Sequence, residues 1–217
     1  MNLSAQRRAL VRCARALHRG GLSHGSSGNL SVRTKGGFVI TPTGIGFEAL
    51  APEQLVELNE EGAPKPEQLR PSSEWRFHRD LYRAQPDVNA IVHVHSPYAT
   101  ALACARRAIP AFHYMVAAAG GDAIPCAPYA TFGTQALSEA IINTLNDRRA
   151  CLLANHGSVA TGENLQKARD LAQEVEFLAK VYLLTQQIGG SELLTGEEMR
   201  VVLEKFTRYG QQEQPVA

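Results

Sequence analysis

Cysteine is scarce in this 217-residue chain, and its four copies, Cys13, Cys104, Cys126 and Cys151, lie far apart. No C-x-x-C pair occurs, which excludes a zinc knuckle and a redox dithiol, and a chain of this length needs no disulfide framework. The four are expected to be buried thiols in a reducing, cytoplasmic setting. No stretch reaches the roughly 18 uninterrupted apolar residues of a membrane span, and the N-terminus lacks the apolar core of a secretory signal. The phosphate-binding G-x-x-x-x-G-K-[ST] and the dinucleotide G-x-G-x-x-G are both missing. Acidic residues are absent before Glu48, whereas residues 1–47 hold six arginines and Lys35. That basic quarter suits either an anionic ligand or a helix face paired with acidic surface elsewhere. Phe38 and Phe47 are its only aromatics, too few to stack single-stranded nucleic acid, and the net charge of +1 gives no general signature of a nucleic-acid partner.

What is present, 44% hydrophobic and 20% charged residues, fits one globular domain over residues 1–217 with a loose polar tail at 211–217. Arg7, Arg8, Arg12, Arg15 and Arg19 share one amphipathic stretch; Leu3, Leu10, Ala14 and Leu17 read as its buried stripe, which favours a folded helix over 3–19 rather than a presequence. Strands are predicted at 30–34, 38–41, 55–59, 89–95 and 150–155. Further helices are predicted after Ser72-Ser73 and running to Ala84, and at 97–107, 134–146, 165–187 and 197–209. Strands and helices alternate, without repeats or low-complexity blocks.

Two histidines, His93 and His95, stand two apart on the strand predicted at 89–95. Side chains at i and i+2 share a strand face, so both imidazoles project from one side without help from tertiary structure. A third, His156, ends an apolar strand just before Gly157, where a functional side chain is commonly presented. Three imidazoles suit Zn²⁺ with positions left open for water or substrate. His78 follows Glu74 by four residues on one helix, so a helix-borne Glu-His ligand pair is conceivable; His18 and His24 read as turn or surface residues. Three small, polar segments can hold phosphate through N–H groups and hydroxyls without a lysine: Gly25-Ser26-Ser27-Gly28-Asn29, Thr41-Pro42-Thr43-Gly44 and Pro71-Ser72-Ser73 before a helix. Each by itself is also ordinary turn or cap chemistry.

The stretches 28–33, 40–45 and 71–78, the H-x-H strand, Asn155-His156-Gly157, the runs 109–115, 117–121 and 124–134, and the ending 202–206 occur in the order found in one family. Together they resemble the class II aldolases of the aldolase/adducin family over nearly the whole chain. The resemblance implies a three-layer α/β/α domain with a largely antiparallel central sheet, assembled as a homotetramer with its active site at a subunit interface. It implies Zn²⁺, one per chain, on His93, His95 and His156, with Glu74 as a fourth ligand and as the catalytic base. It maps phosphate binding onto Gly28, Asn29, Thr43, Gly44, Ser72 and Ser73. The catalytic tyrosine maps onto Tyr114 and site closure onto Phe206 and Tyr209.

The implied activity is cleavage of a ketose 1-phosphate, of the L-fuculose 1-phosphate kind, to dihydroxyacetone phosphate and an aldehyde such as L-lactaldehyde. Such cleavage leaves carbanion-like charge that needs a sink. The five lysines are scattered in polar or loop settings, so a Schiff base is not indicated, and a Lewis acid fills the role. A 5-deoxyribulose or methylthioribulose 1-phosphate is the alternative substrate. A pentulose-phosphate 4-epimerase or a dehydratase of the same fold, and a non-catalytic adducin-like module, are rival readings. Neither a nucleic acid nor a membrane is expected as a partner.

Overall fold

The computed structural model describes residues 2–207; Tyr209 and the tail expected at 211–217 lie outside them. The chain runs α1 (Leu3–Arg19), β1 (Asn29–Thr34), β2 (Gly37–Ile40), β3 (Val56–Asn59), α2 (Trp75–Ala84), β4 (Ala90–Val94), α3 (Pro97–Cys104), β5 (Cys126–Ala127), α4 (Gln135–Leu145), β6 (Ala150–Leu153), β7 (Gly157–Gly162), α5 (Leu165–Gln187) and α6 (Gly196–Phe206). The strands form one sheet in the order β3-β2-β1-β4-β7-β6-β5. Every pairing is antiparallel except β5 with β6, so the sheet is mixed but largely antiparallel.

Strand alternation divides the core into two layers. Leu30 and Val32 of β1, Val39 of β2, and Ala90, Val92 and Val94 of β4 pack with α1, α3 and α5 on one face. Phe38 and Ile40 of β2, Ile91 of β4, and Cys151 and Leu153 of β6 pack with Phe77, Leu81 and Tyr82 of α2 and Leu137, Ile141 and Leu145 of α4 on the other. Both faces are covered, which is why β6 is apolar and β4 apolar but for His93, and both are buried throughout rather than alternating with water-facing residues. The result is the expected three-layer α/β/α arrangement.

The basic first quarter serves this packing. Arg7 pairs with Glu57 at 2.7 Å and donates to the carbonyls of Pro52 and Leu55, and Arg15 donates to the carbonyl of Leu50. Arg33 donates to the carbonyls of Tyr82, Gln85 and Val88, which fastens the C-terminal end of α2 to the sheet. The exposed Arg19–Glu48 pair adds little, because water screens it.

The cysteines differ from expectation: only Cys13 and Cys151 are buried, Cys126 is half-buried and Cys104 is exposed at the end of α3. Leu3 is exposed too, because the stripe of α1 meets the sheet only from Leu10 onward. The helix expected at 97–107 stops at Cys104. Strand β7 was not expected: Gly157-Ser158-Val159-Ala160-Thr161-Gly162 has no clear hydrophobic period, yet it is buried along its length between β4 and β6.

Candidate active site

Four elements deliver one cluster. On β4, His93 faces the α2 side and lies opposite Asn29 of β1 and Val159 of β7. His95 follows one residue past the end of β4, and His156 sits in the tight turn joining β6 to β7. Their ring centroids lie 4.8–4.9 Å apart, and one ligand atom from each falls within 4.8 Å of the others. Glu74, at the N-cap of α2, sets its carboxylate against them: Oε2 is 3.2 Å from His93 Nε2 and Oε1 is 3.4 Å from His156 Nε2.

The donor set fits a divalent cation. His93 donates its Nδ1–H to the carbonyl of Ser158 at 2.9 Å, which leaves the Nε2 lone pair facing inward, the orientation that an outer hydrogen bond imposes on metal-binding histidines. His93 Nε2 and His95 Nε2 are 3.1 Å apart, close to the roughly 3.3 Å that two ligands at about 2.0–2.1 Å from a tetrahedral ion would show. Glu74 Oε1 is buried without a hydrogen-bond partner among the described residues, a costly state for a carboxylate oxygen unless a cation meets it.

The electrostatics agree. Burial, followed by the neighbouring His93 and His156, holds His95 down to about 3; burial and then His93 hold His156 down to about 4. Burial alone would raise the Glu74 carboxyl, but His93, His156 and the Asn29 amide outweigh it and hold the group at about 2. Burial alone would lower His93; Glu74 and the Ser158 carbonyl overcome that and raise it. The site thus holds Glu74 as a carboxylate and His95 and His156 as neutral imidazoles, the forms in which such ligands bind a metal, while Glu74 favours a positive charge at His93.

Glu74, His95 and His156 line a cavity of about 300 Å³, and its other walls are Ser26, Ser27, Gly28, Pro42, Thr43, Gly44, Ser72, Ser73, Tyr129, Ala130, Phe132 and Asn155. No lysine or arginine is among them. The loops at 41–44 and 70–73 are stitched together by Thr43 N–H to Arg70 O at 3.1 Å and Ser72 N–H to Thr41 O at 3.0 Å. They present hydroxyls beside the N-terminus of α2, which favours an anion. Gly28 has φ +84°, and a Cβ there would stand 2.7 Å from the His93 carbonyl oxygen, so only glycine brings this loop against β4.

Gly157 has a similar role. A Cβ would meet the Val94 carbonyl oxygen at 2.5 Å and His95 Cδ2 at 2.9 Å. Gly157→Ala is expected to cost about 1–3 kcal/mol, as forced overpacking does, and to loosen metal binding because His95 must move. Thermal unfolding with and without chelator checks both.

The remaining predicted residues are placed as follows. Asn29 is buried rather than on the cavity wall; its amide donates to Glu74 Oε2 at 2.9 Å. His78 is not in the metal group and instead meets Asn29 and Ser31. Tyr114 is 47% exposed on a 3₁₀ turn (Tyr114–Ala119) and does not line this cavity. Phe206 lines a different cavity, with Met115 and Ala118. Tyr129 and Phe132, exposed aromatics at the cavity, were not picked out from the sequence; two aromatic rings in the exposed loop between β5 and α4 were the available signal.

Residues 8–183 match the family described as Class II Aldolase and Adducin N-terminal domain. The chain is 51% identical over 191 residues to an L-fuculose phosphate aldolase of Escherichia coli (strain K12), covering 88% of each chain. It is 49% identical over 206 residues to a 5-methylthioribulose-1-phosphate/5-deoxyribulose-1-phosphate aldolase of Rhodospirillum rubrum, covering 95% of this chain and 93% of the relative. A solved structure of an L-fuculose 1-phosphate aldolase superposes with a TM-score of 0.90 at 39% identity, covering 94% of this chain and 96% of that one. The chain belongs to the class II aldolase and adducin N-terminal domain family.

Proposed function

We propose that this protein is a zinc-dependent aldehyde-lyase that cleaves a ketose 1-phosphate, L-fuculose 1-phosphate or a close analogue, to dihydroxyacetone phosphate and an aldehyde such as L-lactaldehyde. The observation that carries the reading is the meeting of three imidazoles and a buried carboxylate, of which Glu74, His95 and His156 line a cavity otherwise rich in neutral hydroxyls and glycines.

His93, His95 and His156 would hold the cation, with Glu74 beside them as a fourth ligand while substrate is absent. Bound there, the cation supplies a Lewis acid for charge developing on substrate oxygen, worth several kcal/mol. Glu74 moves the proton at the reacting carbon: in condensation it takes that proton, and in cleavage its acid form returns it. Gly28, Thr43, Gly44, Ser72 and Ser73 bind the phosphate away from the breaking bond, so binding energy fixes the register of the reacting carbons. Asn29, assigned to that phosphate group by the sequence, is buried with its amide committed to Glu74 and steadies the base instead.

Tyr114, exposed on its own protomer, reaches the cavity of a neighbouring protomer in a homotetramer. There its phenol gives a proton to the aldehyde oxygen in condensation and takes it back in cleavage. Phe206, which lines a separate cavity here, belongs to a segment that would close the site in the assembly. Four free thiols suit a cytoplasmic enzyme.

A second substrate class is favoured by Tyr129 and Phe132, which are 56% and 65% exposed at the cavity and offer apolar surface to a deoxy or methylthio end. The test is a panel of L-fuculose 1-phosphate, 5-deoxyribulose 1-phosphate and 5-methylthioribulose 1-phosphate, with and without chelator, scored by dihydroxyacetone phosphate released. Release from L-fuculose 1-phosphate that EDTA abolishes and Zn²⁺ restores is the expected result. Interconversion of pentulose 5-phosphates with no cleavage would make the protein an epimerase, and cleavage indifferent to EDTA would remove the metal from the account.

A further inference from the structure

Behind the cavity, α2 and β1 interleave polar side chains inside an otherwise apolar layer. Glu74, His78 and Tyr82 recur every four residues along one face of α2, a rise of about 6 Å. Asn29 and Ser31 recur every two residues on the facing side of β1, a rise of about 6.6 Å. The near-equal steps let the two rows mesh. Tyr82 OH lies 2.7 Å from Ser31 Oγ, Ser31 Oγ 2.7 Å from His78 Nδ1, His78 Nε2 2.5 Å from Asn29 Oδ1, and Asn29 Nδ2 2.9 Å from Glu74 Oε2. Ser31 and His78 are fully buried, and Asn29, Tyr82 and Glu74 are 2%, 5% and 7% exposed.

The donors and acceptors admit one direction. A carboxylate only accepts, so the Asn29 amide nitrogen points at Glu74 and its oxygen points back at His78. That oxygen only accepts, so His78 Nε2 carries the proton. Complete burial, and then the neighbouring His93, keep His78 neutral, so Nδ1 accepts from Ser31. Ser31 Oγ then receives the Tyr82 hydroxyl. Each member donates toward the carboxylate, and none is left unpaired along the chain, the condition under which a buried polar network rigidifies its surroundings.

We infer that Tyr82, Ser31, His78 and Asn29 form a one-way hydrogen-bond chain that positions the Glu74 carboxylate, with His78 as a positioning residue locked in the Nε2–H tautomer. The inference rests on the proposed role of Glu74 for its catalytic consequence, though not for its geometry. The His78 ring is bonded to Asn29 and Ser31, and its side chain reaches the Glu74 carboxylate by way of the Asn29 amide. Its task is to stop the Asn29 amide from flipping, since a flipped amide would present an oxygen to Glu74 and push the base away.

The test has two arms, both on the full-length zinc-loaded protein. In the first, ¹⁵N-histidine NMR reads the tautomer, with His78→Gln used to assign the signal. A neutral Nε2–H imidazole is expected; an Nδ1–H or doubly protonated ring at pH 7.5 overturns the chain. In the second, His78→Gln keeps an N–H near the Nε2 position while His78→Leu removes it. His78→Leu is expected to lower kcat by at least about tenfold, within the range lost when an outer partner of a site is removed, and His78→Gln to recover most of it. In a Glu74→Gln background the same His78→Leu change is expected to alter kcat less than about twofold, because the two act as one unit. Equal losses in both backgrounds, or equal losses for His78→Leu and His78→Gln, overturn the positioning role. Should His78→Leu fail to fold, Asn29→Asp takes its place: a carboxylate cannot donate to Glu74, so kcat must fall at least tenfold, and unchanged kcat overturns the inference. A wild-type protein that cleaves no ketose 1-phosphate defeats the proposed function instead, and the tautomer measurement still decides the chain.

Discussion

Glu74→Gln is expected to lower turnover by at least about a hundredfold, the scale on which a positioned general base contributes, while the metal stays bound. The change is nearly isosteric and keeps an oxygen for the Asn29 amide to reach, so packing at the start of α2 survives. What is lost is the charge and the ability to carry a proton. Three imidazoles remain to hold the cation, their lone pairs still directed inward by bonds such as His93 Nδ1–H to the Ser158 carbonyl. The measurement pairs kcat on the best substrate of the panel with metal content by mass spectrometry. A loss below about tenfold would remove Glu74 from proton transfer, because even weak general bases contribute more than that. Loss of metal together with rate would make it a ligand first and a base only by inference.

The second large effect is expected from His93→Ala. His93 is fully buried, contacts Glu74 and the other two histidines, and stacks edge-on against Phe77 at 5.8 Å. Its removal leaves two imidazoles that no longer enclose an ion. Metal affinity should fall by more than about a hundredfold, the upper end of what removal of a mere outer partner costs, and activity should fall with it. The decisive reading is thermal. A ligand at a hundred times its Kd stabilises the native state by about 2.7 kcal/mol, so chelation should lower the unfolding temperature of the wild type and leave that of His93→Ala unmoved. A variant that still binds Zn²⁺ and still responds to EDTA would place the metal elsewhere.

Parts of this site were legible without coordinates. The H-x-H pair needed only the two-residue period of a strand, and although His95 lies just beyond β4, the rings meet as that period requires. Glu74 and His78 were legible as one face of a helix, but not what His78 does there: the opposing row, Asn29 and Ser31, comes from a strand more than forty residues earlier. The three small polar loops could be picked out by composition. That they enclose one cavity depends on the bonds from Thr43 to Arg70 and Ser72 to Thr41. β7 stayed hidden because small residues carry no periodic signal when both faces of a strand are covered. The arginines of the first quarter could have met an anionic ligand; in the fold Arg7, Arg15 and Arg33 instead satisfy backbone carbonyls.

Local rules were therefore sufficient for most element types, β7 apart, and for the kinds of chemistry the side chains could carry, because hydrophobic period, caps and ligand preference act over a few neighbouring residues. Only the tertiary structure decided that His156, in a hairpin turn more than sixty residues from His93, closes the imidazole triad, that Asn29 turns to the carboxylate and not to the cavity, and that Tyr114 does not line the cavity beside the histidines. Those outcomes hang on how strands pair across the sheet and where α2 settles on it, and long-range pairing is chosen by the burial of the whole core rather than by any one segment.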